Sequence, residues 1–515
     1  MAFASSTVVL VTVLSIVVVV LGQTMYRIIF HPLKSFPGPW LNAITELPSS
    51  LRLAKGEQHR YYYRLHRKYG PVVRVAPNEL IFTTDQAWQD IYGLRNGSVM
   101  EKSPIFIGIV SPMNGCVGVG LARGKEHTRQ RRALAPGLSK NALYKQEEII
   151  QHHINALLKL LNQIHEKNNL ANMADYFSFT TFDAIGDLSF SEPFGCLEQN
   201  KTTEWASAMR QVVIFASYDQ AIRRVAGVDS WLRNVLLRLC MPAEATKWRM
   251  LHVQKSIEKT TQRLAKPDSS KQDMIYHLLR EEDPKKALNQ DEIKLNMMLY
   301  ISAGSETTSI TLTAWAYLIC THPEAYKILT SEIRSTFSSA QDIKVDSVMS
   351  LPYLGATINE ALRLFTPGAV AMQRIVPAGG AVIDGQFVPA GTTVSVAPWA
   401  ASRSPDNFAD PDAFRPERWL QDREAYRSDE FAGDRLGASR PFGYGPKRCI
   451  GEDLSYLEAR LIIAHVLFKF DMELDMDGKA AESNRLWSLR PDNDGIKLYQ
   501  VLMKPDLWVR LSERV

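Results

Sequence analysis

Phe442-Gly-Tyr-Gly-Pro-Lys-Arg-Cys-Ile-Gly451 sets one cysteine, Cys449, in a turn with glycine at 443, 445 and 451 and proline at 446. Glycine permits left-handed dihedrals and close backbone approach, so such a turn can lie beneath a flat object and aim amide N–H groups at one sulfur. A long amphipathic stretch, SYLEARLIIAHVLFKF, follows directly. A thiol just ahead of a helix N-terminus, with Lys447 and Arg448 beside it, is expected to favour thiolate. A lone thiolate among backbone donors suits the axial position of a haem iron. The competing reading is an inert cysteine buried in a tight turn.

The same residues resemble the haem-binding signature of the cytochrome P450 monooxygenases, Phe-x-x-Gly-x-Arg-x-Cys-x-Gly. Phe442, Gly445, Cys449 and Gly451 match it, and Gly443 lies in the same loop. Lys447 stands where the family usually has an arginine that contacts a haem propionate. Lysine carries the charge but not the two-pronged fork.

Three more segments extend the resemblance. Leu354–Phe365 reads as a short helix stopped by Thr366-Pro367, with Glu360 and Arg363 three apart on one face. Surface pairs at that spacing are common and weak. With Arg418, in FRPERW some fifty residues on, they resemble the family's structural Glu-Arg-Arg triad. Upstream, Asn289-Gln-Asp-Glu292 is a capping-box start for a helix running to about Thr321, with Ala303-Gly-Ser-Glu-Thr-Thr308 at its centre. Small residues at 303 and 304 would let a flat group approach, and threonine hydroxyls would bond back to carbonyls and loosen the helix locally. A Glu–Thr pair inside an apolar helix is costly unless paired or functional. By resemblance Thr307 would hold dioxygen with its water, and Glu306 would connect them to a proton supply.

EHTRQRRALAPGLSKNAL reads as a basic helix with His127 and Arg131 on one face. The resemblance makes Arg131 a propionate contact, puts His127 where tryptophan is commoner, and turns Arg129 and Arg132 outward to a reductase. Arg374, in MQRIVPAGG, matches a further propionate-binding arginine. KYGPVVRVAPNELIFTT reads as a β-hairpin with its turn at Gly70-Pro71. The amphipathic helices of 203–245 read as packing helices, which the resemblance would make lids over the pocket; it also implies that the 103–120 loop, residues 367–372 and residues 496–501 line it. Ile105, Phe106, Ile107, Phe215, Val370 and Met372 suggest an apolar small molecule.

Composition bounds the rest. The chain has 515 residues, 45 % of them hydrophobic, enough for a large core. A net charge of +5 without basic runs argues against nucleic acid. It suits an acidic protein partner or an anionic membrane face. Five scattered cysteines, 116, 196, 240, 320 and 449, make neither a disulfide scaffold nor a zinc site.

Residues 1–26 carry no charged side chain and read as a single membrane helix, with Arg27, His31 and Lys34 following on the cytosolic side. A cleaved signal peptide is the alternative. Prolines 32, 37 and 39 make residues 27–40 a stiff spacer that sets the body, 41–515, off the membrane. The expected fold is mainly α with small β-sheets, the cytochrome P450 fold behind one N-terminal transmembrane helix.

The resemblance implies heme b and electrons from NADPH through a cytochrome P450 reductase. It also implies an endoplasmic reticulum location with a cytosolic catalytic domain, and a secondary metabolite such as a terpenoid, polyketide or alkaloid as substrate. A reductase-independent haem-thiolate isomerase or dehydratase, and a non-catalytic membrane haem binder, are the rival readings. The intact Glu306-Thr307 pair argues against both.

Overall fold

The apolar run at the N-terminus forms helix α1, Ala2–Met25, which continues through a π-helical turn, Tyr26–Phe30. The computed structural model describes residues 2–95, 97–106, 110, 112–266, 271–281 and 283–514. Among the described residues, Leu10–Phe30 is the one helix long and apolar enough to cross a membrane, and none of it is buried. Its length, roughly 32 Å at about 1.5 Å per residue, matches a hydrocarbon core of about 30 Å.

The proline-rich segment packs onto the body. Leu33 is fully buried, and the Pro37 carbonyl accepts the Arg74 N–H at 2.7 Å. Arg27 donates to Ile44 O at 2.5 Å, and Arg74 donates to Arg27 O at 3.1 Å. Proline removes donors but leaves its carbonyl free, so a non-helical stretch can be taken up by a neighbouring strand.

Five strands form the main sheet. They are β1 (Val72–Ala76), β2 (Glu79–Phe82), β3 (Glu101–Lys102), β4 (Arg374–Ile375) and β5 (Thr393–Val396), in the order β1-β2-β5-β4-β3. Only β2 and β5 run parallel. The hairpin turns at Pro77-Asn78 and not at Gly70-Pro71. Gly70, at φ +94°, ends the preceding helix, Gln58–Tyr69, by donating to His66 O, the usual service of glycine after a helix. The register sets Lys102 directly opposite Arg374 across β3 and β4.

The helices that build the site are α2 (Gly124–Leu134), α3 (Met173–Phe190), α4 (Glu204–Ala226), α5 (Ala243–Leu264), α6 (Gln290–Cys320), α7 (Pro352–Leu364) and α8 (Glu452–Lys469). Helix α6 runs through the centre of the core, and its Asn289–Glu292 capping box has both bonds at 2.9 Å. It stays α-helical throughout. Thr307 donates to Ala303 O at 2.6 Å and Thr311 to Thr307 O at 3.0 Å. A carbonyl has two lone pairs, so these bonds add to the backbone ladder and the expected loosening does not occur.

The helix Trp231–Cys240 was expected to pack, yet it buries no residue, and Trp231 and Leu239 are each 76 % exposed.

Candidate active site

Within FGYGPKRCIG the chain doubles back, and Cys449 N–H donates to Phe442 O at 2.8 Å. Gly445, at φ +73°, tolerates no side chain, because a Cβ there would lie 2.1 Å from Tyr92 O. The loop is thereby pressed onto the helix that carries Tyr92, while the Phe442 ring packs on Tyr456 of α8 at 5.2 Å. The Gly451 N–H bonds to the Cys449 sulfur.

Cys449 is solvent-accessible, yet the surrounding protein desolvates it and drives the thiol pKa upward. A group both accessible and desolvated lines an internal cleft. The expected self-made thiolate is therefore corrected. Burial outweighs the Gly451 N–H, Arg131 and Arg448, and Glu452 in the first turn of α8 opposes them too. A coordinating cation deprotonates such a thiol outright, and a haem iron would do so here.

Around this cleft stands a cluster of cations. Arg374 and Lys102 are buried, and His127 is buried beside them. Desolvation, then Arg374 and Lys447, push the Lys102 ammonium down to about 7. Desolvation, then Lys102, Lys447 and Arg131, push His127 to about 4, so its ring is neutral. Burial also lowers Arg374, Arg131 and Lys447 from their ordinary values. One carboxylate, Glu101, is set against them, 3.1 Å from Lys447 Nζ. Arg131 donates to Arg448 O at 2.6 Å, and Arg374, among the described residues, donates to the Met372 and Gln373 carbonyls alone.

Like charges opposed across a strand pair are destabilising, and buried cations need anions. The two propionates of heme b supply that charge, so these residues fit the group. Lys102 was not singled out in the sequence. The only hint was a lone lysine entering an apolar loop, EKSPIF, and its role depends on pairing with Arg374 about 270 residues away. Lys447 has Glu101 as its partner, and Arg129 does not face outward: it bonds Glu126 and Glu292 and donates to Ala287 O at 2.6 Å.

On the other wall, Leu299, Ala303 and Thr307 form an i, i+4, i+8 stripe of α6 that is part-exposed although the helix is mostly buried. Tyr300 of α6 lies within electrostatic reach of Cys449, and Thr308 shares a 2.9 Å hydrogen bond with Ser455 of α8. Gly304 serves packing instead, since a Cβ there would meet Ile185 of α3 at 2.9 Å. Of the two small residues, Ala303 remains for the cleft.

The Glu306 carboxylate pairs with Lys504 Nζ at 3.2 Å, the two side chains being 15 % and 5 % exposed. Lys504 also donates to Ser178 Oγ at 2.5 Å and to Ser309 Oγ. Desolvation lowers its pKa and Glu306 opposes that. This lysine, too, was not anticipated from sequence. It arrives from the C-terminal turn, 198 positions beyond the acid it holds.

Glu360, Arg363 and Arg418 are fully buried and meet at one point. Arg363 donates to Glu360 at 2.8 and 2.7 Å, Arg418 at 3.0 Å, the Arg415 N–H at 3.0 Å and Trp419 Nε1 at 2.9 Å. Arg363 then reaches Ser402 O and Pro411 O, both at 2.6 Å. This ties α7 to the chain leading into the cysteine loop.

Of the expected pocket walls, Ile107 lies outside the described residues. Phe215 turns to α5, with the Arg249 guanidinium 4.7 Å from its ring. Met372 closes against Gly443, and the 496–501 turn reaches the 367–372 loop through Leu502 N–H to Pro367 O at 2.8 Å.

Residues 36–498 match the family model described as cytochrome P450. The chain is 51 % identical over 499 residues to cytochrome P450 monooxygenase aba2 of Botryotinia fuckeliana, covering 97 % of this chain and 94 % of that protein. It is 49 % identical over 485 residues to ABA2 of Pyricularia oryzae, 94 % and 92 % of the two chains. It is also 37 % identical over 495 residues to averantin hydroxylase of Dothistroma septosporum, 96 % and 89 %.

Proposed function

Because the chain belongs to the cytochrome P450 family, we propose that it is a membrane-anchored haem-thiolate monooxygenase that oxidises a hydrophobic secondary metabolite. Relatives named as monooxygenases and a hydroxylase support the reaction class. The observation that carries the reading is the accessible Cys449 thiol in a cleft beside Arg131, Lys447 and the buried Lys102 and Arg374, with Glu101 the carboxylate set against them.

Cys449 Sγ would hold the haem iron, and Phe442, Gly443 and Gly451 would contact the cofactor. Lys102, His127, Arg131, Arg374 and Lys447 would hold the propionate edge. Haem supplies the activation of dioxygen and the oxidation of a C–H bond. The protein's own share is binding, aim and protons. Ala303 would leave room for the cofactor beside α6. The Thr307 hydroxyl, now given to Ala303 O, would turn to a water in the cleft at small cost because the backbone bond beneath it persists. Glu306, held by Lys504, relays protons to that hydroxyl. Glu360, Arg363 and Arg418 are scaffolding.

Two electrons per turnover come from NADPH through a diflavin reductase. Residues 1–26 anchor the chain as a single pass in the endoplasmic reticulum membrane, 27–40 join anchor to body, and 41–515 form the cytosolic catalytic domain. A terpenoid, polyketide or alkaloid fits the apolar walls. The test is reconstitution with such a reductase under labelled dioxygen. One labelled oxygen atom in the product, dependent on NADPH, supports the reading, and turnover without NADPH overturns it.

A further inference from the structure

Beyond this reading, the junction between anchor and body holds a second cavity, of about 500 Å³, at the level where the membrane span ends. Gln23, Tyr26 and Arg27 line it from the span, His31 from the turn after it, and Asn78 and Thr392 from the sheet.

Arg27 is the charged side chain of that lining. Behind it, within the body, lie arginines 74 and 224 and glutamates 46 and 79. Arg224 takes both acids, at 3.0 Å and 2.5 Å. Among the described residues, neither Arg27 nor Arg74 has a carboxylate within ion-pair distance. Arg27 donates to Ile44 O, and Arg74 to Pro77 O at 2.8 Å and to Arg27 O. Burial, then Arg27, lower Arg74 to about 10. His31 is lowered by burial and by Arg74 and Arg27, so it is neutral; its Nδ1 accepts Leu33 N–H and its Nε2–H is left as a donor.

A helix C-terminus ordinarily repels an anion through its free carbonyls. Here two of those carbonyls are occupied: Tyr26 O accepts His31 N–H, and Arg27 O accepts Arg74. What faces the cavity is the Arg27 guanidinium with the polar groups of Tyr26, His31 and Asn78, between walls of Pro32, Leu33, Pro77 and Pro389.

We propose that this cavity binds the phosphate headgroup of an anionic phospholipid of the cytosolic leaflet, with Arg27 as its principal contact. A phosphate is the complement that a guanidinium fork recognises. The cavity lies where the span leaves the hydrocarbon, which is the depth of lipid phosphates. Because Arg27 and Arg74 also join span to body, a bound lipid would fix the tilt of the catalytic domain on the membrane. The proposal rests on the anchor reading, and flotation of the full chain with vesicles tests that reading separately.

The experiment titrates delipidated, detergent-solubilised full-length holoenzyme with short-chain phosphatidic acid, short-chain phosphatidylcholine or inorganic phosphate. It follows hydrogen exchange at residues 23–33 and 74–78. Phosphatidic acid is expected to slow exchange there at about tenfold lower concentration than phosphatidylcholine, and inorganic phosphate to leave it unchanged. Arg27→Gln abolishes that preference. Arg27→Lys, which keeps the charge that orients the anchor, weakens it about threefold to tenfold. Equal protection by the two lipids, or an Arg27→Gln variant that still prefers phosphatidic acid, overturns the site. Protection by inorganic phosphate alone overturns the lipid as its source.

Discussion

Glu360→Gln tests the scaffold at its most buried point. The carboxylate accepts five hydrogen bonds, three at Oε1 and two at Oε2. A glutamine presents its oxygen best on the three-donor side. Its NH2 then faces Arg363 Nε and Trp419 Nε1, donor against donor. Each orphaned buried donor costs about 1–3 kcal/mol, and removing one partner of a buried ion pair costs about 3–5 kcal/mol.

These terms overlap, so the expected loss is roughly 5 kcal/mol, a large share of a total stability of about 5–15 kcal/mol. Arg418 keeps Asp434, but Arg363 keeps no carboxylate. The sign with pH follows from Glu360, whose folded pKa lies below its ordinary value because Arg363 and then Arg418 outweigh the burial that opposes them. Its contribution is therefore present above about 4.5 and fades as acid carries the pH down through the folded value.

The assay is denaturant unfolding of the holoenzyme, followed by carbon-monoxide absorption. Glu430→Gln is the control, because its pair with Arg415 is about two-fifths exposed on each side and is worth about 1 kcal/mol or less. A Glu360→Gln enzyme as stable as that control would refute the reasoning.

Three further outcomes follow from the same geometry. Lys504→Met is expected to cut coupled turnover by about 10- to 100-fold and raise peroxide release, with Lys504→Arg partly restoring it, as read by peroxide formed per NADPH consumed. Lys102→Met removes the like-charge opposition to Arg374, so the apoprotein gains about 1 kcal/mol or less while haem affinity falls, as measured by apoprotein melting and haem transfer. Glu458 is buried, and its pKa is pushed up to about 8 by desolvation. The stability present below its ordinary 4.5 is lost as pH rises to 8, an upper bound of roughly 4–5 kcal/mol. Glu458→Gln should therefore melt higher than the parent at pH 8 and alike at pH 4.

What was legible in the chain was local. FGYGPKRCIG, the 303–308 run and Glu360-x-x-Arg363 each hold their signal within a turn or two of backbone, so residue type and spacing were enough to mark them. Lys102 and Lys504 were not legible, since only the folded chain sets Lys102 opposite Arg374 and brings Lys504 to Glu306. The thiol pKa went the other way for the same reason. Helix end and neighbouring cations are visible in sequence, but the desolvating mass around Cys449 is not. Gly304 and Gly70 mislead alike: each glycine was given to the nearest plausible task, a flat ligand or a hairpin, while Ile185 and the end of a helix are what use them. From His31 to Pro39 the proline-rich segment is non-helical, and its Pro37 carbonyl joins the sheet by accepting the Arg74 N–H.

The central claim is that one sulfur carries the cofactor. Cys449→Ser leaves the loop's backbone bonds in place and changes only the ligand atom. Purified beside the parent and reduced under carbon monoxide, the variant is expected to lose the parent's thiolate absorption band. An unchanged band in the serine variant would contradict the account.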